Sequence, residues 1–483
     1  MPSRPNVLLI CTDHWPGRMF SGLGHHSVLT PTLDQLMANG VTYTNAYTTT
    51  PMCVPARREL MTGVFSKTHG DRVQGGSPMP DLPTIAQTFR DAGYRAYGVG
   101  KLHIDPPRNR IGFDDVLINE EGRLTSHGYG PDDYEMFVSD QGYPGLEQAS
   151  GLHNHWDYRP FHLPEHVHPT NWTAREMSRF IARRDPTRPA FWYMSFTAPH
   201  PPLIPLEGYM NIYRDIDVPL PFVGDWAADF DGLPFALKAR PSRHRGIADS
   251  DTETLRTRRA FYALATHVDH QIRAVIGTLR EQGLVDDTII MFTADHGDME
   301  GNHRLWNKML YYEGSAKIPM LLSGSAALTD RVGFARRDDR LVAQADVMAT
   351  LLDLCGIPVP DSVEGVSMVD GPRREYLYGQ FYEDEYATRM VHDGRHKLVY
   401  YAVGNRTQLF DLERDPDEMR DVAQDGSYAG VRERLTGLLL ENLYGSDLDW
   451  LDGGKLVGLP DREWTPAYDH DLAFSAQRGY RFR

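Results

Sequence analysis

The segment Cys53-Val54-Pro55-Ala56-Arg57 puts a thiol, a proline and a guanidinium within about one helical turn. Proline is favoured at a first helical position, so Pro55 predicts a helix start. Cys53 would lie at its N-terminal end and Arg57, four residues on, one turn along the same face. A group at position 53 then feels the positive helix end and a fixed cation, a good seat for a tetrahedral oxyanion. The chain has three cysteines, too few for a disulfide framework. Cys11 and Cys355 read as small buried hydrophobes.

Further ionisable groups stand just past short apolar runs: Asp13 and His14 after Val7–Cys11, Lys101 and His103 after Ala96–Val99, His200 after Phe191–Phe196, and Asp295 and His296 after Thr288–Phe292. If these runs are strands of one open α/β sheet, all of these groups come to the carboxyl edge, where such sheets bind ligands. Asp13, Asp295 and His296 are hard and borderline ligands of the kind a divalent cation takes.

The elements that must deliver them follow from the pattern. Short apolar runs, with Pro319–Leu322 as a fifth, alternate with helical patterns at Thr32–Asn39, Leu82–Ala92, Trp172–Arg183, Thr254–Gln282 and Asp346–Leu354. Thr173 and Glu176 have capping-box spacing in the third. Glycines just past four of the five support the helix ends. The fold class is α/β: a large, mostly parallel sheet sandwiched by helices. Near residue 370 the pattern changes to antiparallel strands at Tyr376–Tyr382, Ala387–His392 and His396–Tyr401, with an Asp393-Gly394 hairpin turn. Residues 1–370 are expected to form the catalytic domain and 371–483 a smaller α+β domain with an aromatic-rich tail.

Composition narrows the function. The chain has 483 residues, 41% of them hydrophobic, enough for one large domain plus a smaller one. Its net charge of −16 argues against nucleic acid or an anionic membrane as partner. No apolar run approaches a membrane span. The start at Met1-Pro2-Ser3-Arg4-Pro5 leaves no room for a signal peptide before the first apolar run, which predicts a cytoplasmic protein or one whose leader has been removed.

With these residues in view, the sequence resembles the type I sulfatases of the alkaline-phosphatase-like superfamily, close to the arylsulfatase and phosphonate monoester hydrolase branch. The resemblance covers nearly the whole chain. It includes Pro5–Ile10 leading to Asp13, Thr30-Pro31-Thr32-Leu33-Asp34, Asn45-Ala46-Tyr47 before the Cys53 motif, and Gly100-Lys101-Leu102-His103. It continues with Pro199-His200-Pro201, Asp295-His296-Gly297-Asp298, Tyr312–Pro319, Asp393–Lys397 and Leu409–Leu412. The resemblance implies hydrolysis of sulfate esters through formylglycine, an aldehyde that a formylglycine-generating modification enzyme makes from Cys53. As a hydrate it supplies one hydroxyl to attack sulfur and a second to expel sulfate.

Carried over position by position, the resemblance makes Asp13, Cys53, Asp295 and His296 the ligands of one divalent metal ion. Arg57 would anchor the hydrated aldehyde, Lys101 and Lys308 bind sulfate oxygens, His200 protonate the leaving oxygen with help from Lys308, and His103 act as base for sulfate elimination. The pairs Asp13-His14 and Asp295-His296 depart from the consecutive aspartates and the Asp-Asn pair of many sulfatases. Imidazole makes Mn2+ plausible beside Ca2+. Related phosphonate monoester and phosphodiester hydrolases share the cysteine motif and an Asp-His pair, so the alternative is a phosphonate monoester or phosphodiester hydrolase using the same site, or an enzyme with both activities. The pair Lys101 and His103 favours sulfate.

Residues 105–170 and 199–250 read as long insertions of the kind that serve as lids or substrate loops. His153, His155, His162, His166 and His168 in the first insertion have no compact metal-ligand spacing and read as solvated loop. Trp15 and Trp306 are placed by sequence near Asp13 and Lys308, as pocket wall or as core. The tail from Trp464 is expected to dock on a neighbouring subunit, giving a homo-oligomer.

Overall fold

A computed structural model describes residues 4–73, 78–126, 128–146, 156, 158–239 and 250–464. The aromatic tail after Trp464, together with His153 and His155, lies outside the described residues.

Eight strands form the large sheet: β1 Asn6–Thr12, β2 Gly40–Tyr47, β3 Arg95–Gly100, β4 Asp115–Ile118, β5 Ala190–Ser195, β6 Thr288–Ala294, β7 Met320–Gly324 and β8 Arg336–Ala343. Their order is β4-β3-β5-β1-β6-β7-β2-β8. All neighbours are parallel except β7, which runs antiparallel to both β6 and β2. The four strands expected to carry chemistry, β3, β5, β1 and β6, are adjacent and parallel, so their carboxyl ends share one edge.

Alternation within these strands explains their unbroken apolar sequences. Leu8, Ile10, Trp192, Met194, Ile290 and Phe292 pack on one face with the helices Pro169–Ala182 and Asp251–Glu281. Val7, Leu9, Cys11, Phe191, Tyr193, Ile289 and Met291 pack on the other with the helices Cys53–Thr62, Ile85–Asp91 and Asp346–Leu354. A sheet covered on both faces needs apolar residues at every position. Cys11 and Cys355 are buried as expected, and burial pushes their thiols up to about 12 and about 11. Trp15 and Trp306 belong to the first core, at 0% and 1% exposure, which decides for the core reading.

A second, antiparallel sheet comprises β9 Leu377–Phe381, β10 Thr388–His392, β11 His396–Tyr401 and β12 Arg406–Asp411, in order β12-β11-β10-β9. One face, with Met390, Val399 and Phe410, packs against Tyr47, Tyr311 and Tyr312 of the large unit. The other, with Val391, Leu398 and Leu409, is covered by Leu435 and Leu439 of the helix Ala429–Asn442. The two sheets therefore share a core.

Three local expectations need correction. The helix bearing Cys53 starts at Cys53 itself, with Pro55 third, because Met52 in extended conformation is the N-cap; proline is tolerated there since first-turn N–H groups have no helical acceptor. Thr173 does not cap its helix. That helix starts at Pro169 under a His168 cap, and Thr173 donates to the Pro169 carbonyl. His168 is accordingly buried rather than solvated, since its imidazole accepts from Thr170 N.

Candidate active site

The carboxyl edge brings Asp13, Cys53, Asp295 and His296 together, with one ligand atom of each within 4.8 Å of the others and all four buried. Cys53 arrives from the helix across the sheet, and its Sγ lies 3.3 Å from His296 Nε2 and 3.8 Å from Asp13 Oδ1. His296 Nδ1 donates to the Gly297 carbonyl at 2.9 Å, which leaves the Nε2 lone pair facing the cluster. Two carboxylates, an imidazole and residue 53 are a fitting donor set for a divalent cation, and a Cys53 oxygen in place of Sγ would make it harder still.

Two lysines reach the same cluster. Lys101 reaches it because Gly100 has φ +104° and a Cβ there would meet Ser195 O at 1.8 Å; only glycine lets β3 end so close to β5. Lys101 Nζ pairs with Asp13 and, at 2.8 Å, with Glu121. Lys308 Nζ lies 3.0 Å from Cys53 Sγ and 2.8 Å from His14 Nε2. Burial and Asp13 raise the Cys53 thiol, but Lys308, Lys101 and His296 outweigh them and hold it below its ordinary value. Burial likewise raises Asp13, whereas Lys101, His200, Lys308 and Arg57 hold its carboxyl well below the carboxylate range.

Arg57 lies one turn along the Cys53 helix, as its spacing requires, and its guanidinium reaches beneath the site. It donates to Asp295 (2.9 Å), to the Lys101 carbonyl (2.8 Å), to Tyr193 OH (3.2 Å) and to Ser195 Oγ (2.9 Å). These contacts fix the Asp295 carboxylate and the base of the Lys101 turn.

His200 packs edge-on against His14, with ring centres 4.5 Å apart. Its Nδ1 donates to the Pro201 carbonyl at 2.6 Å, while its buried Nε2 has no hydrogen-bond partner among the described residues. Burial, Lys308 and Lys101 push this imidazole well below its usual range. His103 is turned differently. Its Nε2 accepts from Arg123 at 2.8 Å, and burial, Arg123 and Lys101 push its imidazole well down. For His103 to take a proton, Arg123 must first yield that lone pair.

The sequence reading missed Glu121 and Arg123, which pair at 2.8 Å and, being only partly buried, stand at the outer side of the cluster. They lie in an insertion without periodicity. It also missed Tyr193 and Ser195, although two hydroxyls at alternate positions of an apolar strand were a visible signal for a polar partner on one face. Asp298 accepts from His14 Nδ1 at 2.7 Å. Burial pushes its carboxyl up, and the backbone N–H groups of Glu300 and Asn307 pull it back.

Buried donors for a cation, two lysines and a histidine converging on a side chain at a helix N-terminus make a site for hydrolysing an anionic ester. A family model described as Sulfatase matches residues 5–357, and one described as N-sulphoglucosamine sulphohydrolase, C-terminal, matches residues 301–443. The chain belongs to the sulfatase family and is a sulfuric ester hydrolase. It is 34% identical over 473 residues to an arylsulfatase of Clostridium perfringens, covering 94% of this chain and 97% of that protein. It is 30% identical over 438 residues to a choline-sulfatase of Rhizobium meliloti, covering 87% and 83%. Among solved structures, it is similar to the phosphonate monoester hydrolase of Agrobacterium radiobacter, with a TM-score of 0.77, 26% identity and coverage of 92% and 97%.

Proposed function

We propose that the chain hydrolyses small sulfate esters with Cys53 converted to formylglycine and with one divalent cation, Ca2+ or Mn2+, held by Asp13, Asp295, His296 and residue 53. The observation that carries this reading is the convergence on one atom: Lys308 Nζ at 3.0 Å and His296 Nε2 at 3.3 Å from Cys53 Sγ. That sulfur marks where an oxygen of the hydrated aldehyde would lie. The cation would lower the pKa of that hydroxyl and neutralise charge on the sulfate, and the hydrate supplies the nucleophile.

The remaining work falls to the chain's own side chains. Lys101 and Lys308 hold the sulfate oxygens from two sides, where charge redistributes as the ester bond breaks. The unpartnered Nε2 of His200 faces the same cluster and is the atom through which a proton reaches the leaving oxygen. Arg57 keeps Asp295 and the Lys101 turn in register beneath residue 53. His103 serves sulfate elimination once Arg123 releases its ring. A formylglycine-generating enzyme is the partner that the conversion requires.

The phosphonate reading rests on the Agrobacterium radiobacter neighbour and on the Asp295-His296 pair. We expect kcat/KM for an aryl sulfate to exceed that for an aryl phosphonate monoester, and the reverse order would promote the phosphonate reading. Mass spectrometry of the peptide spanning Cys53, from protein made with its modification enzyme, should show the loss of about 18 Da that converts thiol to aldehyde. An unmodified but active protein would overturn the nucleophile assignment.

A further inference from the structure

We propose that His14 and Asp298 are positioning residues that fix the Lys308 ammonium over residue 53. The inference rests on the sulfatase reading above, in which Lys308 binds the transferred sulfate.

Lys308 sits on a contorted segment. Asn307 and Met309, its two neighbours, both have φ 75°, and Glu300, His303 and Arg304 upstream have φ 51°, 56° and 60°. Left-handed backbone at non-glycine residues persists only where surrounding contacts impose it. Asp298 supplies two of those contacts. Its Oδ1 accepts from Glu300 N at 2.8 Å and from Asn307 N at 3.2 Å, pinning the start of the segment to the residue before Lys308.

The other oxygen of Asp298 governs the far end of the same side chain. Oδ2 lies 2.7 Å from His14 Nδ1, and His14 Nε2 lies 2.8 Å from Lys308 Nζ. An ammonium has only hydrogens to give, so Nε2 accepts, Nδ1 carries the ring proton and Asp298 Oδ2 accepts it. One carboxylate thus holds Lys308 twice, by its backbone through Asn307 and by its head through His14.

The choice of an imidazole has a consequence for charge. Among the described residues Lys308 makes no ion pair with a carboxylate. A neutral acceptor at this position aims the flexible stem of Lys308 without adding a negative charge beside its ammonium. Asp13, His14 and His200 also bring three ligand atoms within 4.8 Å, a geometry that suits a second cation. The Lys308 ammonium on His14 Nε2 already takes that lone pair.

A double-mutant cycle on the formylglycine-containing, metal-loaded enzyme tests the assignment. Lys308→Ala should lower kcat/KM for an aryl sulfate by about 100-fold or more. His14→Ala should lower it as well, and the double variant should be no worse than Lys308→Ala within about 3-fold, since the two act as one unit. His14→Gln keeps an acceptor at the Nε2 position and should recover most of the loss of His14→Ala. Metal content per chain should be unchanged in His14→Ala. Multiplicative losses in the double variant, or loss of bound metal from His14→Ala, would overturn the proposal. Should His14→Ala not fold, His14→Asn, too short to reach Lys308, takes its place in the cycle. An unimpaired Lys308→Ala enzyme would instead refute the reading of Lys308 beneath it, whatever the His14 variants do.

Discussion

The molecule buries charge in two places and treats it in opposite ways. Where the antiparallel sheet meets the large unit, Lys397 Nζ lies 2.8 Å from both Glu313 and Glu418. Glu313 also takes Lys317 at 3.0 Å, Arg18 at 3.3 Å and the Tyr47 hydroxyl at 2.8 Å. Burial raises Glu313, but Lys317, Lys397 and Arg18 hold its carboxyl well below the usual range. Every charge there is answered by another in the protein. In the catalytic cluster Lys101, Arg57 and Arg123 have carboxylate partners, while Lys308 is held by an imidazole and points at residue 53. Charge closed on itself is structural, and charge left open at one point is kept for a ligand.

The largest expected effect lies at the open point. Cys53→Ala should lower sulfatase kcat/KM by a factor on the order of 10^4 or more, as removal of a nucleophile does, with an unchanged melting temperature. Substantial residual activity would mean that residue 53 is not the nucleophile. A pair of lysine variants then separates the two regions. Lys397→Ala strips the cation from between two buried carboxylates and should cost about 3–5 kcal/mol of stability, with kcat/KM of the remaining folded enzyme little changed. Lys308→Ala removes a buried charge that among the described residues makes no ion pair with a carboxylate, so its folding stability should fall far less than that of Lys397→Ala while turnover collapses. If Lys308→Ala proved as destabilising as Lys397→Ala, the distinction between open and closed charge would fail.

The sequence revealed the open site better than the closed one, for physical reasons. Asp13, Lys101, Asp295 and His296 follow directly on strands covered on both faces, so an unbroken apolar run announced where each would emerge. The same logic missed β8, whose Arg336-Arg337-Asp338-Asp339-Arg340 start lies on an edge and is largely exposed, as charged edge strands are. It missed β4, a four-residue edge strand, and β2, which interleaves threonines with apolar residues. Nothing in Pro319–Leu322 marked β7 as antiparallel, because strand direction depends on the connection and not on the residues. Glu313, Lys397 and Glu418 meet across 105 residues of sequence, and no local period links them. Glu121 and Arg123 stayed hidden for the same reason, since their partners Lys101 and His103 lie on another segment.

Glu59 marks a third treatment of buried charge, and the smallest expected effect. It lies on the Cys53 helix with 0% exposure and accepts from Thr49 Oγ1 and from Ser66 N, but among the described residues it has no cation beside it and its Oε2 has no partner. Burial pushes its carboxyl from 4.5 up to about 7, against the pull of those hydrogen bonds. A carboxyl that holds its proton more tightly when folded contributes stability below its ordinary value near 4.5, and that contribution fades as pH rises towards about 7. Chemical denaturation should therefore show a loss of about 3 kcal/mol between pH 4.5 and 7 from this group. Glu59→Gln, which cannot ionise, should flatten that slope and gain on the wild type above pH 7. The wild-type slope surviving unchanged in Glu59→Gln would show that Glu59 is ionised in the folded protein, and the hydrogen bonds from Thr49 Oγ1 and Ser66 N would then be enough to sustain a buried charge without a cation.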